Sequence, residues 1–179
     1  MGKKMDIFEK TITKNYIYKG KIINLRRDEV ELPDGKTAFR EIVEHNGGAC
    51  VLYVENDKIV FVKQFRYAYG ETVLEIPAGK LEKGEDPAKT ALRELQEETG
   101  ICAKKIQHLF TMYPTPGYTN EKIYIYQASD GEKAKTNLDE DEFLEVEWIE
   151  VEKVKQMLSS GEIKDGKTII ALQRYFLSI

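Results

Sequence analysis

Between Gly79 and Ile101 the chain reads GKLEKGEDPAKTALRELQEETGI, and this run constrains the fold more than any other part of its 179 residues. Asp86 followed by Pro87 is a helix start, a carboxylate cap before a residue whose missing N–H loses no bond there. Gly100 is a helix stop, so the spacing predicts a helix over Pro87–Thr99. At about 100° per residue, Ala88, Ala91, Leu92, Leu95 and Thr99 share one face, which is expected to pack on a core. Glu94, Glu97 and Glu98 share the neighbouring face. Like charges three and four apart cost an isolated helix roughly a few tenths of a kcal/mol per pair. Carboxylates crowded beside an apolar face therefore call for a cation, and hard ions such as Mg²⁺ take oxygen ligands of this kind.

Gly79, Glu85, Arg93, Glu94, Glu97, Glu98 and Gly100 follow the spacing GX5EX7REUXEEXGU, with Leu95 and Ile101 at the aliphatic positions U. In this the segment resembles the signature of the Nudix hydrolases, which cleave a nucleoside diphosphate linked to another group. The match spans 23 of the 179 residues. A merely solvated acidic helix would supply three carboxylates, but not a glycine loop, Glu85 and Arg93 in register with them.

A chain of this length suits one domain, or one domain with a small addition. Its 41% of hydrophobic residues allow a sizeable core. A net charge of −4 and a pI near 5.4 argue against a general nucleic-acid binder. No hydrophobic run approaches the length of a membrane span, and the start, MGKKMDIFEK, lacks the apolar stretch of a secretory signal. Met1-Gly2 is not followed by Ser or Thr at position six, which is Asp6, so acylation is discounted. The expected setting is the cytoplasm, with Cys50 and Cys102 as buried free thiols. His45 and His108 are too isolated to suggest a zinc site or a triad.

Strand-like runs cover Lys10 to Tyr18, Ile22 to Leu32 and Thr37 to His45, with a turn at Pro33-Asp34-Gly35. Residues 1–47 are expected to form one unit and 48–179 the other, divided near Asn46-Gly47-Gly48. Further strands are expected from Ala49 to Val54 and from Ile59 to Phe65 about an Asn56-Asp57 turn. Val73 to Ile76 is another, stopped by Pro77 before the glycine loop. Lys105 to Met112, Lys122 to Ala128 and Phe143 to Ile149 complete the set, with helices over Val151 to Ser159 and Lys167 to Leu177. This mixture is an α/β architecture. The resemblance implies more: a Nudix-type α/β/α sandwich around a mixed sheet, plus a small N-terminal antiparallel β-sheet. It also implies a homodimer, with the N-terminal sheets exchanged between subunits.

The loop from Tyr113 to Glu121, YPTPGYTNE, resembles the SPGxxxE loop of the ADP-ribose pyrophosphatase branch, with Thr115 in the place of serine. Pro116 lies 15 residues beyond Ile101, where that branch has its proline. Pro-Thr-Pro-Gly is also what a tight surface turn looks like. Leu74-Glu75-Ile76-Pro77-Ala78-Gly79 resembles that branch's LExPAG segment, and Gln64-Phe65-Arg66 its Q-x-R strand end.

The resemblance implies a small-molecule nucleotide substrate, ADP-ribose first, and Mg²⁺ as cofactor, with Mn²⁺ as a substitute. Other nucleoside diphosphate sugars or dinucleotides are alternatives, as is a non-catalytic ADP-ribose sensor. It assigns the metal to Glu94, Glu98, Glu97 and the Ala78 carbonyl, with Gly79 and Gly100 as structural supports, Arg93 orienting a glutamate, and Glu85 either doing similar structural work or approaching the metal through water. The base is Glu121, brought by its loop, or Glu97. Arg66 and Arg40 are candidates to contact substrate, with Pro116 and Gly117 in the loop. For Arg66 a surface salt bridge is the alternative. Tyr16 or Tyr18 could stack on adenine, although strand tyrosines are more often packing partners. The acidic run Asp139 to Glu142 is either the rim of the cleft or, the favoured reading, a solvated loop.

Overall fold

The computed structural model describes residues 7–138 and 142–177 and groups the chain into two compact units. The first holds the chain up to Asn46 together with Thr115–Glu121; the second holds Gly47–Pro114 and everything from Lys122 onward.

In the first unit, β1 (Lys10–Thr13), β2 (Tyr16–Lys19), β3 (Asn24–Glu31) and β4 (Thr37–Glu44) form an antiparallel sheet. β4 runs along the whole of β3, while β1 and β2 pair with successive stretches of it. The expected single strand from Lys10 to Tyr18 is therefore two. The Asn15 carbonyl accepts the Arg27 N–H at 2.7 Å, and the register slips on either side of that point, as at a β-bulge. The β3–β4 turn uses Gly35 at φ 83°, with Asp34 Oδ1 accepting the Lys36 N–H at 3.1 Å. Loop residues 115–121 are fastened to β4: Val43 donates to the Tyr118 carbonyl at 2.7 Å, and Asn120 to the Val43 carbonyl at 3.3 Å. Ile12, Tyr16, Ile17, Tyr18 and Phe39 remain exposed on this sheet.

The second unit is built on a mixed seven-stranded sheet. Its central path runs β11 (Leu144–Glu150), β6 (Lys58–Arg66), β5 (Gly48–Glu55), β10 (Ile123–Lys133), β9 (Ile101–Met112). β7 (Glu71–Glu75) pairs with β6, and β8 (Ala78–Lys80) with β5. β5 and β10 are parallel, the other pairs antiparallel. The β5–β6 hairpin closes through Asn56 and Asp57, both at positive φ, as a tight hairpin turn requires. β5 is buried on both faces, and its alternation sorts side chains between two cores. Ala49, Val51 and Tyr53 pack against Ala91 and Leu95 of α1 (Pro87–Thr99). Cys50 and Leu52 lie with Val154 and Met157 of α2 (Val151–Ser160) and with Ala171 and Leu172 of α3 (Gly166–Phe176). Helices thus cover both faces, the expected α/β/α sandwich.

Three local expectations need correction. The segment after Pro77 is a strand, β8, and not simply a loop, because its backbone completes a ladder on Gly48–Cys50. β9 starts directly after Gly100 rather than at Lys105, since β10 extends to Lys133 and pairs with it throughout. Cys102, on that extension, is exposed, whereas Cys50 is buried.

Candidate active site

The α1 helix forms as its caps dictate. Asp86 Oδ1 accepts the Ala88 N–H at 2.8 Å, and Gly100, at φ 71°, donates its N–H to the Gln96 carbonyl at 2.8 Å. The buried positions are Thr90, Ala91, Glu94, Leu95 and Glu98, while Ala88, Leu92 and Thr99 are half-buried. Two signature carboxylates are therefore interior groups rather than neighbours of an apolar face. Each has a local reason for its place. A Cβ on Gly79 would come within 1.8 Å of Glu94 Oε1, so a side chain at this position would make that carboxylate shift. Glu98 Oε2 accepts the Ala78 N–H at 3.1 Å.

Arg93 organises the rest. Its guanidinium is 2.7 Å from Glu97, 2.9 Å from Glu94 and 3.3 Å from Glu85. Glu85 also accepts the Glu82 N–H at 3.0 Å, and this bond first, then Arg93, holds its carboxyl below the usual range. Burial pushes Glu94 up to about 7 despite Arg93, and Glu98 up to about 9, with the Glu94 charge adding to the effect. Glu142 adds to both shifts and accepts from Gln64 Nε2 at 3.4 Å. It belongs electrostatically to this site rather than to a merely solvated loop. Its membership of an acidic run was the available signal; Asp139, Glu140 and Asp141 lie outside the described residues.

Among the described residues, no three His, Cys, Asp or Glu side chains converge to enclose an ion. The donor chemistry nonetheless fits a hard divalent cation: buried carboxylates that disfavour each other's charge lose that penalty when a cation joins them. Such an ion would be held by Glu94 and Glu98, with Glu97 and the Ala78 carbonyl as further oxygen donors.

Arg66, at the end of β6, is not a free surface cation. Its Nε and Nη2 donate to the two oxygens of Glu75 at 2.6 and 2.7 Å. Glu75 is buried, and burial alone would raise its carboxyl; Arg66 and Lys167 overcome that and hold it below the usual range. Lys167, in the first turn of α3, donates to Glu75 and stands 3.0 Å from Asp165. No sequence signal pointed to Lys167, which sits 92 residues from Glu75 in the chain.

The remaining candidates belong to the first unit. Arg40 forms a forked pair with Glu9 at 2.5 and 2.8 Å. Glu121 lies 3.2 Å from His45 Nδ1, and its N–H donates to Thr119 Oγ1 at 3.1 Å. Pro116 and Gly117 are exposed. Tyr16 places its hydroxyl 3.4 Å from Glu44 and its ring beneath the Lys19 ammonium; it and Tyr18 are both exposed.

Residues 44–172 match the family model described as the NUDIX domain, and residues 9–43 match that described as the nucleoside diphosphate sugar hydrolase N-terminal domain. An ADP-ribose pyrophosphatase of Bacillus subtilis (strain 168) is 48% identical over 168 residues, covering 92% of this chain and 91% of that one. A methanol dehydrogenase activator of Bacillus methanolicus is 43% identical, over 97% of this chain and 94% of that one. Among solved structures, an ADP compounds hydrolase superposes with a TM-score of 0.86 at 18% identity, over 99% of this chain and 96% of that chain. That last likeness bears on the fold alone.

Proposed function

Because this chain belongs to the Nudix family, we propose that it hydrolyses ADP-ribose: ADP-ribose + H₂O → AMP + ribose 5-phosphate, with Mg²⁺ as the metal. The observation that carries the reading is the pair of interior carboxylates, Glu94 and Glu98, buried one helical turn apart beside β8 and both raised by burial. The relative named ADP-ribose pyrophosphatase supports the choice of substrate.

A divalent ion bound by Glu94, Glu98, Glu97 and the Ala78 carbonyl would neutralise phosphate oxygens and lower the pKa of attacking water. The chain's own groups do the rest. Arg93 orients Glu94 and Glu97 by ion pairing. Arg66 uses the edge of its guanidinium left by Glu75 to hold a phosphate, for which a planar fork is suited. The proton of the attacking water passes to Glu97 or to Glu121, and the charge coupling of Glu142 with Glu94 and Glu98 makes it a third carboxylate to test. Arg40, Pro116 and Gly117 are assigned to substrate contact.

We also assign the chain to the cytoplasm, a reading supported by its free cysteines; no described helix is long and apolar enough to cross a membrane. A homodimer through the N-terminal sheet is supported by the exposed Ile12, Ile17, Tyr18 and Phe39.

Incubation with Mg²⁺ and equal ADP-ribose, ADP-glucose, NADH, diadenosine polyphosphate and an oxidised deoxynucleotide tests the reading. Preference for ADP-ribose, with equimolar AMP and ribose 5-phosphate, is expected, and Glu98→Gln should abolish it. Preference for another compound keeps the chemistry and removes the substrate. The relative named as a dehydrogenase activator favours a second reading, action on a partner enzyme. Stimulation of a methanol dehydrogenase by Glu98→Gln as strong as by the wild type would support that reading in a non-hydrolytic form.

A further inference from the structure

The C-terminal helix reaches into the site through two buried bonds that the glutamate signature does not include. Lys167 donates to Glu75, and Glu75 in turn grips Arg66 through both of its oxygens. Asp165 anchors Lys167 at 3.0 Å and caps α3, accepting the Thr168 N–H at 3.0 Å and the Thr168 hydroxyl at 2.6 Å. Thr168 Oγ1 then accepts the Ile76 N–H at 2.9 Å. Ile76 leads through Pro77 to Ala78, whose N–H donates to Glu98. Thr168 and Glu75 are both buried, as is most of the Lys167 side chain. Charges are seldom buried for stability alone, because an apolar replacement of similar shape is often neutral or better. A forked carboxylate clamp that is itself held from behind fixes the azimuth of the guanidinium, as phosphate recognition requires.

We propose that Lys167 is a positioning residue: it holds Glu75, and through Glu75 it sets the orientation in which Arg66 meets a substrate phosphate. Thr168 does the corresponding work for the Ile76–Ala78 backbone. The inference rests on the phosphate role given to Arg66 in the proposed function.

A double-mutant cycle with Lys167→Gln and Arg66→Ala tests it, using the panel nucleotide that the wild-type chain cleaves fastest. Lys167→Gln is expected to raise KM about tenfold with kcat changed less than threefold. In the Arg66→Ala background the same substitution should cost less than twofold in kcat/KM. Lys167→Arg should restore most of the loss, since it keeps the charge beside Glu75 and Asp165. Equal factors in the two backgrounds, or a loss confined to kcat or to thermal stability, overturn the proposal. Should Lys167→Gln fail to fold, Lys167→Met, which keeps the stem and removes the charge, carries the same cycle, with the same outcomes. If the wild-type chain cleaves nothing in the panel, the hydrolase reading falls by itself, and the cycle is read in the Kd for ADP-ribose with Mg²⁺ present. Non-additivity there sustains the inference and additivity removes it.

Discussion

Gly79 and Glu94 are coupled at the scale of single residues, because a Cβ at position 79 would stand 1.8 Å from a Glu94 carboxylate oxygen and displace it. Gly79→Ala must push Glu94 aside or part β8 from β5, and a loss of turnover of about 100-fold or more is expected. Steady-state kinetics beside a thermal melt separates that effect from unfolding. Glu98 makes a different prediction. Its folded pKa, about 9, stands above the ordinary carboxylate value of 4.5, with Glu94 at about 7. The folded state therefore binds these protons more tightly than the unfolded state. Their contribution is fully present below pH 4.5 and is lost as pH rises through about 7 and then 9. With metal removed by chelator, the melting temperature should fall between pH 6 and pH 9, and Glu98→Gln should flatten the upper part of that fall. Added Mg²⁺ should reverse it, since an ion that binds only the folded state stabilises it by mass action. A metal-free protein equally stable at both ends of the range would remove the assignment.

At the scale of elements, α1 was almost wholly legible. Its cap pair Asp86-Pro87 and its stop at Gly100 are local chemistry, and the helix spans the residues they mark. Asp86→Ala removes the side-chain bond to Ala88 and should cost about 1 kcal/mol of stability, with kcat little changed. The corresponding substitution in α3, Asp165→Ala, should cost more by chemical denaturation. There the cap also anchors Lys167 and bonds the Thr168 hydroxyl. What the sequence hid at this scale was pairing. Nothing local said that the residues after Pro77 would join β5, that β9 would begin at once after Gly100, or that Lys10 to Tyr18 would break at Asn15. Each was decided by a partner strand whose free N–H and C=O groups needed satisfying.

For the molecule as a whole, the chain groups into two compact units, and residues 115–121, far along the chain, cluster with the N-terminal sheet. That grouping depends on backbone bonds between Tyr118, Asn120 and Val43. The exposed apolar side chains of the first unit lead to a further expectation. Ile17→Lys should shift the chain towards monomer in sedimentation equilibrium if the sheet forms a dimer, and an unchanged mass would remove that surface from the proposal.

The sequence by itself carried the family resemblance and the fold class that it implies, and it determined the short-range constellation from Gly79 to Gly100, because helix spacing turns chain separation directly into a face. It could also rank Glu94, Glu97 and Glu98 as the carboxylates to watch. Only the tertiary structure decided which of them are interior, that Arg66 is held by Glu75, and that Lys167 and Glu142 join the same electrostatic neighbourhood. Those relations span from 9 positions, between Arg66 and Glu75, to 92, between Glu75 and Lys167. They depend on how strands and helices from distant parts of the chain pack together, which no local periodicity encodes.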